Sequence, residues 1–121
     1  MKIILAVAHG SRRAESNQSF VDLIENLKSI YKTVDQIIPC FLEIATPLLK
    51  NTLMELPSKT TEVIVYPYFL NPGKHVEKDI PSIIADFKVS NPNIKITTLD
   101  YFGSDNTIAS LIKAQIEGQL K

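Results

Sequence analysis

Along the chain, short apolar runs alternate with longer segments in which apolar residues recur every three or four positions. The short runs are rich in Ile, Val, Phe and Tyr, and they predict four strands at 2–8, 34–41, 62–69 and 94–100. The longer segments predict four helices at 15–31, 46–56, 77–90 and 106–120. Strands that alternate with helices pair in parallel through right-handed crossovers. The sequence therefore predicts an α/β fold, a parallel four-stranded sheet with helices on both faces.

Local signals define several helix ends. Thr46 is a suitable N-cap for the second helix, with Pro47 at its first position. Pro81 fits the first turn of the third helix, where its missing N–H costs little. Either Ser104 or Asp105 is expected to cap the last helix. The apolar face of that last helix comprises Ile108, Leu111, Ile112 and Ile116.

Length and charge narrow the class of protein. A chain of 121 residues predicts one domain, 1–121. Lysine plus arginine and aspartate plus glutamate both number 13, so no nucleic acid and no membrane surface is expected as a partner. The single cysteine, Cys40, excludes an intrachain disulfide and predicts a buried, reduced thiol. No secretory leader or membrane-spanning run is evident, which favours a cytoplasmic protein.

Polar side chains collect where the predicted strands end. His9 follows the first strand, Glu43 the second and His75 the third, and the chain has no other histidine. Ligands of such sheets bind at the carboxyl ends of the strands, and neighbouring parallel strands lie about 4.8 Å apart. Two imidazoles and a carboxylate suit Co²⁺, Ni²⁺, Fe²⁺ or Zn²⁺, and they also accept protons near neutral pH. The pattern predicts a metal or acid–base site at this edge.

Each of these residues alone has a purely structural interpretation, such as a hydrogen-bonded loop histidine or a solvated carboxylate. Nucleotide-binding glycine motifs and the Gly-x-Ser-x-Gly nucleophile elbow are absent. Phosphoryl transfer through His9, with Arg12 nearby, is an alternative, although alanine rather than arginine precedes His9. The convergence of three strand ends favours the metal site.

Three segments resemble one family. "AHGSRR" at 8–13, "FLEIATPLL" at 41–49 and "PYFLNPGKHVEKDIP" at 67–81 are similar to the small CbiX-type sirohydrochlorin cobaltochelatases, which are class II chelatases. The resemblance implies a single chelatase-like lobe of flavodoxin-like β–α repeats. It also implies insertion of a divalent metal into the tetrapyrrole sirohydrochlorin, in cobalamin or siroheme synthesis.

The resemblance also assigns roles to residues. His9, His75 and Glu43 are the expected catalytic residues and metal ligands. Sirohydrochlorin is rich in carboxylates, so cationic side chains suit its rim and apolar ones suit its faces. The expected substrate-binding residues are Ser11, Arg12, Arg13, Tyr68, Phe69, Leu70 and Lys74. As core or loop residues, Tyr68, Phe69 and Leu70 need no ligand at all.

The resemblance implies a homodimer, because larger chelatases place two such lobes around one cleft. The expected metal substrate is Co²⁺, with Fe²⁺ or Ni²⁺ as alternatives, and no organic cofactor is expected. A non-catalytic carrier of tetrapyrrole or metal on the same fold is the alternative function.

Overall fold

The computed structural model describes residues 1–120, and its centre is one fully parallel sheet. Strand order across the sheet is β2-β1-β3-β4, so β1 and β3 are the inner strands. The strands are β1 Lys2–Ala8, β2 Gln36–Phe41, β3 Glu62–Pro67 and β4 Lys95–Thr98. The helices are α1 Ala14–Ile30, α2 Leu49–Met54, α3 Ile80–Ser90 and α4 Thr107–Gln119. The predicted fold class is confirmed.

One face of the sheet is covered by α2 and α3. Alternate residues of β1 and β3 point to this face, and Leu5, Val63 and Val65 there are fully buried. Leu49 from α2 and Ile80 from α3 complete the same core. This face is the main hydrophobic core of the protein.

The opposite face is covered by α1. Phe20 and Ile24 of α1 pack on Ile4 and Ala6 of β1, and on Ile37 of β2. The apolar run of β1 is therefore buried on both sides, as expected for an inner strand of a parallel sheet. Helices thus lie on both faces of the sheet. On the face opposite α2 and α3, α1 covers the half formed by β1 and β2.

The start of α2 differs from the prediction at Thr46 and Pro47. The helix begins at Leu49, and no side chain caps it. The carbonyl of Pro47 instead accepts a hydrogen bond from the Phe41 N–H (2.9 Å), and Leu48 forms a parallel bridge with Phe41. Thr46 as N-cap and Pro47 as first helical residue were wrong, because this segment extends along the end of β2.

The predicted N-cap of α4, Ser104 or Asp105, was wrong: the N-cap residue is Asn106 and no side chain caps the helix, although Asp105 bonds to its first residue. The Asp105 carboxylate accepts hydrogen bonds from the N–H (2.7 Å) and the hydroxyl (2.6 Å) of Thr107. These bonds lower the pKa of Asp105, since they favour the charged carboxylate. Pro81 lies in the first turn of α3 as predicted.

The predicted ends of two strands need correction. The third and fourth strands end at Pro67 and Thr98, before the predicted 69 and 100, because the chain turns into loops there. The apolar face of α4 is not buried: no α4 residue within the described chain is buried, and Ile112 is half exposed.

Cys40 is fully buried, as predicted, on the α2–α3 side of the sheet. Burial raises the pKa of its thiol to about 12, and a hydrogen bond with the Thr52 side chain opposes this shift. Among residues 1–120, no helix is both long enough and apolar enough to cross a bilayer.

Candidate metal site at the carboxyl edge of the sheet

His9 follows the last residue of β1 at the carboxyl edge of the sheet. Its Nδ1 lies 2.8 Å from the Gly10 carbonyl, which can only accept, so Nδ1 carries the proton. Its Nε2 lies 2.7 Å from Oε1 of Glu43. The Nε2 atom and the Glu43 carboxylate are therefore close enough to bind one metal cation jointly.

Glu43 reaches His9 because Gly10 lets two loops approach. Gly10 has φ +99°, and a Cβ there would overlap the Glu43 carbonyl oxygen. The Glu43 N–H also donates to the His9 carbonyl (3.1 Å). Ile44, next in the chain, has φ +73°, which is uncommon for a β-branched residue. This loop places the Glu43 carboxylate beside the end of β1.

His75 begins a π-helical turn, His75–Asp79, that leads directly into α3. Its Nδ1 lies 2.7 Å from Oδ2 of Asp79, one turn further along. The carboxylate accepts a hydrogen bond from the Nδ1–H and leaves the Nε2 lone pair available, in the way that outer carboxylates orient metal-binding histidines. Phe69 stacks on the ring at 6.4 Å between centroids. The Nε2 atom points towards Glu43, 3.9 Å from Oε1.

The structure thus brings the three predicted residues together. One donor atom from each of His9, Glu43 and His75 lies within 4.8 Å of the others. The two imidazole rings are 4.5 Å apart and meet edge to face. The side chains are 40%, 53% and 36% exposed, so a ligand can approach from solvent. This set of two nitrogens and one oxygen matches divalent transition metals.

One chain only partly encloses the site. A cavity of about 240 Å³ adjoins Glu43, His75 and Asp79, which is smaller than the roughly 300–1,000 Å³ of typical ligand pockets. A larger cavity of about 760 Å³ lies between α2 and α3, and none of the three candidate ligands lines it. The smaller cavity adjoins two of the three candidate ligands, Glu43 and His75, and is therefore the candidate binding site.

The polar residues after His9 have local partners. The Ser11 hydroxyl accepts from the Arg13 N–H (3.0 Å), and its backbone exchanges two hydrogen bonds with Asn17. Arg12 and Arg13 are exposed, and Arg13 faces Glu15 at 3.6 Å. Ser11 therefore shapes the turn into α1, while both guanidinium groups are accessible to an anionic ligand.

The residues after β3 divide between the core and the surface. Tyr68 packs between Phe20 and Phe102, with centroid distances of 5.2 Å to each, on the α1 side of the sheet. Phe69 stands beside His75, whereas Leu70 is 64% exposed and Lys74 is also exposed. Their roles as tetrapyrrole-binding residues stay predictions.

Sequence reasoning missed two residues of the site. Asp79 was seen only as part of a family motif, yet it orients the His75 ring. Its four-residue spacing from His75 was an available signal, since such pairs share a helix face. Ile44, 55% exposed beside Glu43, gave no sequence signal because its left-handed backbone depends on the tertiary fold.

With this geometry established, comparison with known proteins decides the family. The sequence profile of the CbiX family matches residues 3–119. The chain belongs to the CbiX family. One similar protein is the chloroplastic sirohydrochlorin ferrochelatase of Arabidopsis thaliana. The two sequences are 32% identical over a region that covers 94% of this chain and 51% of the ferrochelatase. The sirohydrochlorin cobaltochelatase of Methanococcus maripaludis is 33% identical over a region that covers 73% of this chain and 61% of the cobaltochelatase.

The fold of this CbiX chain also agrees with solved structures. A CbiX protein from Marinobacter aquaeolei superposes with a TM-score of 0.83 at 22% identity, covering 99% of this chain and 98% of that one. The sirohydrochlorin chelatase SirB from Bacillus subtilis, solved in complex with cobalt, superposes with a TM-score of 0.85 at 24% identity. The superposition covers 97% of this chain and 50% of the SirB chain. At these identities the likeness establishes the fold. The chain spans about half the length of several curated relatives.

Proposed function

We propose that the protein is a sirohydrochlorin chelatase that inserts a divalent metal into the tetrapyrrole. One observation carries this proposal: donor atoms of His9, Glu43 and His75 converge at the open carboxyl edge of the sheet. Family membership supports the substrate, since curated relatives are named as sirohydrochlorin chelatases for iron or cobalt.

The open donor set suits a metal that must arrive and leave. Three protein ligands bind a divalent ion while leaving coordination positions for water and then for pyrrole nitrogens. Neutral imidazoles release the ion more readily than a cage of thiolates, and no cysteine lies at this edge, because Cys40 is buried in the core. Partial exposure of both histidines gives the macrocycle access to the ion.

Charge balance during metal insertion gives the same residues a second role, which is to accept protons. A divalent ion replaces two pyrrole protons, so two protons must leave the macrocycle for each metal inserted. Glu43 and the Nε2 atoms of His9 and His75 are the acceptors beside the bound ion. Release of the metal frees their lone pairs to take those protons, so metal transfer and deprotonation occur at one place.

The proposed metal is Co²⁺. Two imidazole nitrogens and one carboxylate oxygen form a borderline donor set that also accepts Fe²⁺ and Ni²⁺. Relatives named for iron and for cobalt are both similar to this chain, so the test compares the rates with the three ions.

The experiment follows the absorption spectrum of sirohydrochlorin mixed with Co²⁺, Fe²⁺ or Ni²⁺ under anaerobic conditions. Wild-type protein is expected to accelerate metallation above the spontaneous rate. His9→Ala, His75→Ala and Glu43→Gln are expected to slow it by about 10²-fold, the usual scale of a lost acid–base group. Glu77→Gln is the matched control, because it changes an exposed carboxylate on the same turn as His75.

The outcomes distinguish enzyme from carrier. Acceleration that disappears in the three site variants and survives in the control supports the chelatase. Tight binding of sirohydrochlorin or metal without acceleration would contradict it and favour a carrier. A rate that is fastest with iron or nickel would replace cobalt as the metal and leave the reaction class intact.

We also propose that the active form is a homodimer in which two carboxyl edges face each other across the tetrapyrrole. Support comes from the small cavity of one chain and from relatives about twice as long. The residues proposed for the rim of the substrate, Arg12, Arg13 and Lys74, are exposed around the same edge.

A further inference from the structure

Ile44 adopts a backbone conformation that its residue type disfavours. It is the one non-glycine residue of positions 1–120 with positive φ, at +73°. Across it, the Ala45 N–H donates to the Glu43 carbonyl (2.8 Å). Positive φ and this bond between residues two apart define the form of γ-turn that is rare and strained. A side chain branched at Cβ makes the conformation more unusual still.

Contacts on both sides keep this γ-turn in place. The Glu43 N–H donates to the His9 carbonyl (3.1 Å), which ties the residue before Ile44 to the end of β1. The Glu43 carbonyl lies so close to Gly10 that a Cβ there would overlap it. On the far side, the Pro47 carbonyl accepts a hydrogen bond (2.9 Å) from the last residue of β2. A strained residue persists where its surroundings fix it in this way.

The fold itself does not explain an isoleucine at this position. Within residues 1–120 the Ile44 side chain is 55% exposed and contributes to neither hydrophobic core, whereas Leu42 and Ala45 both pack against one. Glycine adopts positive φ without steric cost, and asparagine adopts it more readily than isoleucine does. Strained residues of this kind cluster at ligand-binding sites. A contact with a ligand would account for the apolar side chain.

The position of Ile44 suits a contact with the proposed tetrapyrrole substrate. It follows Glu43, whose Oε1 lies 2.7 Å from Nε2 of His9 and 3.9 Å from Nε2 of His75. For an ion to pass from these atoms to the nitrogens of the macrocycle, the centre of the macrocycle must lie beside them. The faces of the macrocycle are apolar around that centre, and its carboxylates lie on the rim. An exposed apolar side chain one residue from Glu43 can therefore contact such a face.

We infer, on the basis of the proposed chelatase function, that Ile44 is a substrate-positioning residue. Its side chain contacts the apolar face of the tetrapyrrole and holds the centre of the macrocycle beside His9, Glu43 and His75. The γ-turn fixes the backbone of Ile44, and branching at Cβ restricts its χ1 rotamers. Because the side chain has no donor atom, it affects the tetrapyrrole and leaves the affinity for metal unchanged.

The test compares the affinity for tetrapyrrole with the affinity for metal. Ile44→Ala removes the apolar contact but keeps a Cβ in the γ-turn, whereas Ile44→Val keeps a branched apolar side chain. Fluorescence titration gives the Kd of metal-free sirohydrochlorin, and calorimetry gives the Kd of Co²⁺ alone. Val89→Ala is the matched control, because it shortens an 82% exposed apolar side chain on α3.

The variants are expected to differ in tetrapyrrole binding only. Ile44→Ala should weaken sirohydrochlorin binding by at least about 10-fold, since three carbon atoms of apolar contact are lost. Ile44→Val should weaken it by at most about fourfold, the scale of one methylene group. The Kd of Co²⁺ should be the same in all of these proteins. Val89→Ala should match wild type in both titrations.

Ile44→Gly tests the strain by itself. Its Tm is expected to exceed that of wild type by about 4 °C, because relief of the strain outweighs the greater backbone entropy of glycine in the unfolded chain. A Tm equal to or below that of wild type would contradict a strained γ-turn and with it the reason for assigning Ile44 a function.

Two titration results would overturn the inference. Unchanged sirohydrochlorin affinity in Ile44→Ala would mean that the side chain does not contact the substrate. Equal weakening of Co²⁺ and sirohydrochlorin binding would mean that Ile44 acts only by shaping the Glu43 loop.

Failure of the proposed chelatase function has a different signature. A wild type that binds sirohydrochlorin without accelerating metallation would contradict the reaction, while the Kd values of the Ile44 variants would still decide the positioning role. A wild type that binds no sirohydrochlorin would contradict both.

Discussion

At the scale of single residues, the two histidines reach the same orientation by different means. A backbone carbonyl accepts from Nδ1 of His9, whereas the Asp79 carboxylate accepts from Nδ1 of His75. Both arrangements present Nε2 to Glu43. The Gly10 carbonyl belongs to the backbone, whereas the Asp79 carboxylate is a side chain that mutation can remove. His75 is therefore the candidate ligand whose orientation can be tested.

Asp79→Ala is expected to lower Co²⁺ affinity by about 10- to 100-fold, the usual effect of losing a carboxylate behind a metal-binding histidine. Nitrogen-15 NMR of the His75 ring should also show that Nδ1 is no longer the favoured site of the proton. Asp79→Asn keeps an acceptor oxygen and should restore part of the affinity, and Glu77→Ala is the control. An unchanged tautomer and affinity in Asp79→Ala would contradict the positioning role.

Cys40 gives a pH-dependent prediction. Burial raises its pKa from an ordinary 9.0 to about 12, so the unfolded chain loses the thiol proton first as pH rises. The free energy of unfolding should therefore fall above pH 9, by at most about 1.4 kcal/mol per pH unit from this group, with no contribution below pH 8. Denaturant titrations of wild type and Cys40→Ala from pH 7 to 10.5 measure the difference. If the free energies of unfolding of the two proteins changed in parallel with pH, the predicted contribution of Cys40 would be disproved.

At the scale of elements, periodicity predicted the order and approximate bounds of the strands and helices. A local signal was correct at Pro81, which lies in the first turn of α3. Local signals failed at Thr46 and Pro47, because pairing of this segment with the end of β2 outweighed the capping preference. The turn between β1 and α1 also depends on a distant segment, since Gly10 accommodates the Glu43 loop.

Gly10→Ala is expected to destabilise the fold by about 1–3 kcal/mol through its backbone conformation, and further through the clash with the Glu43 carbonyl. Displacing that loop should also weaken Co²⁺ binding. Gly73→Ala is the matched control, because no atom lies within 4 Å of its added Cβ. Chemical denaturation and metal titration of both variants provide the measurement. Equal stability and equal Co²⁺ affinity of the two variants would contradict the close approach of the Glu43 loop to Gly10.

At the scale of the whole molecule, the site joins three distant parts of the chain. The loops after β1, β2 and β3 each contribute one candidate ligand, so an ion bound there would link elements that separate on unfolding. Metal binding should therefore report on the assembled fold as well as on the site.

Co²⁺ at about 100 times its dissociation constant is expected to add about 2.7 kcal/mol to the free energy of unfolding of wild type. Thermal unfolding with and without the ion measures this shift as a rise in Tm. Glu43→Gln should show a much smaller rise, whereas Glu77→Gln should match wild type. Equal stabilisation of Glu43→Gln and wild type would place the ion elsewhere.

The sequence by itself determined the α/β order, the parallel sheet and the edge that holds His9, Glu43 and His75. Those features follow from local hydrophobic periodicity and from the rule that parallel strands end at a common edge. Tertiary structure alone decided the approach of Glu43 past Gly10, the orientation of His75 by Asp79 and the exposure of α4. These depend on contacts between segments that only folding brings together, which no local pattern encodes.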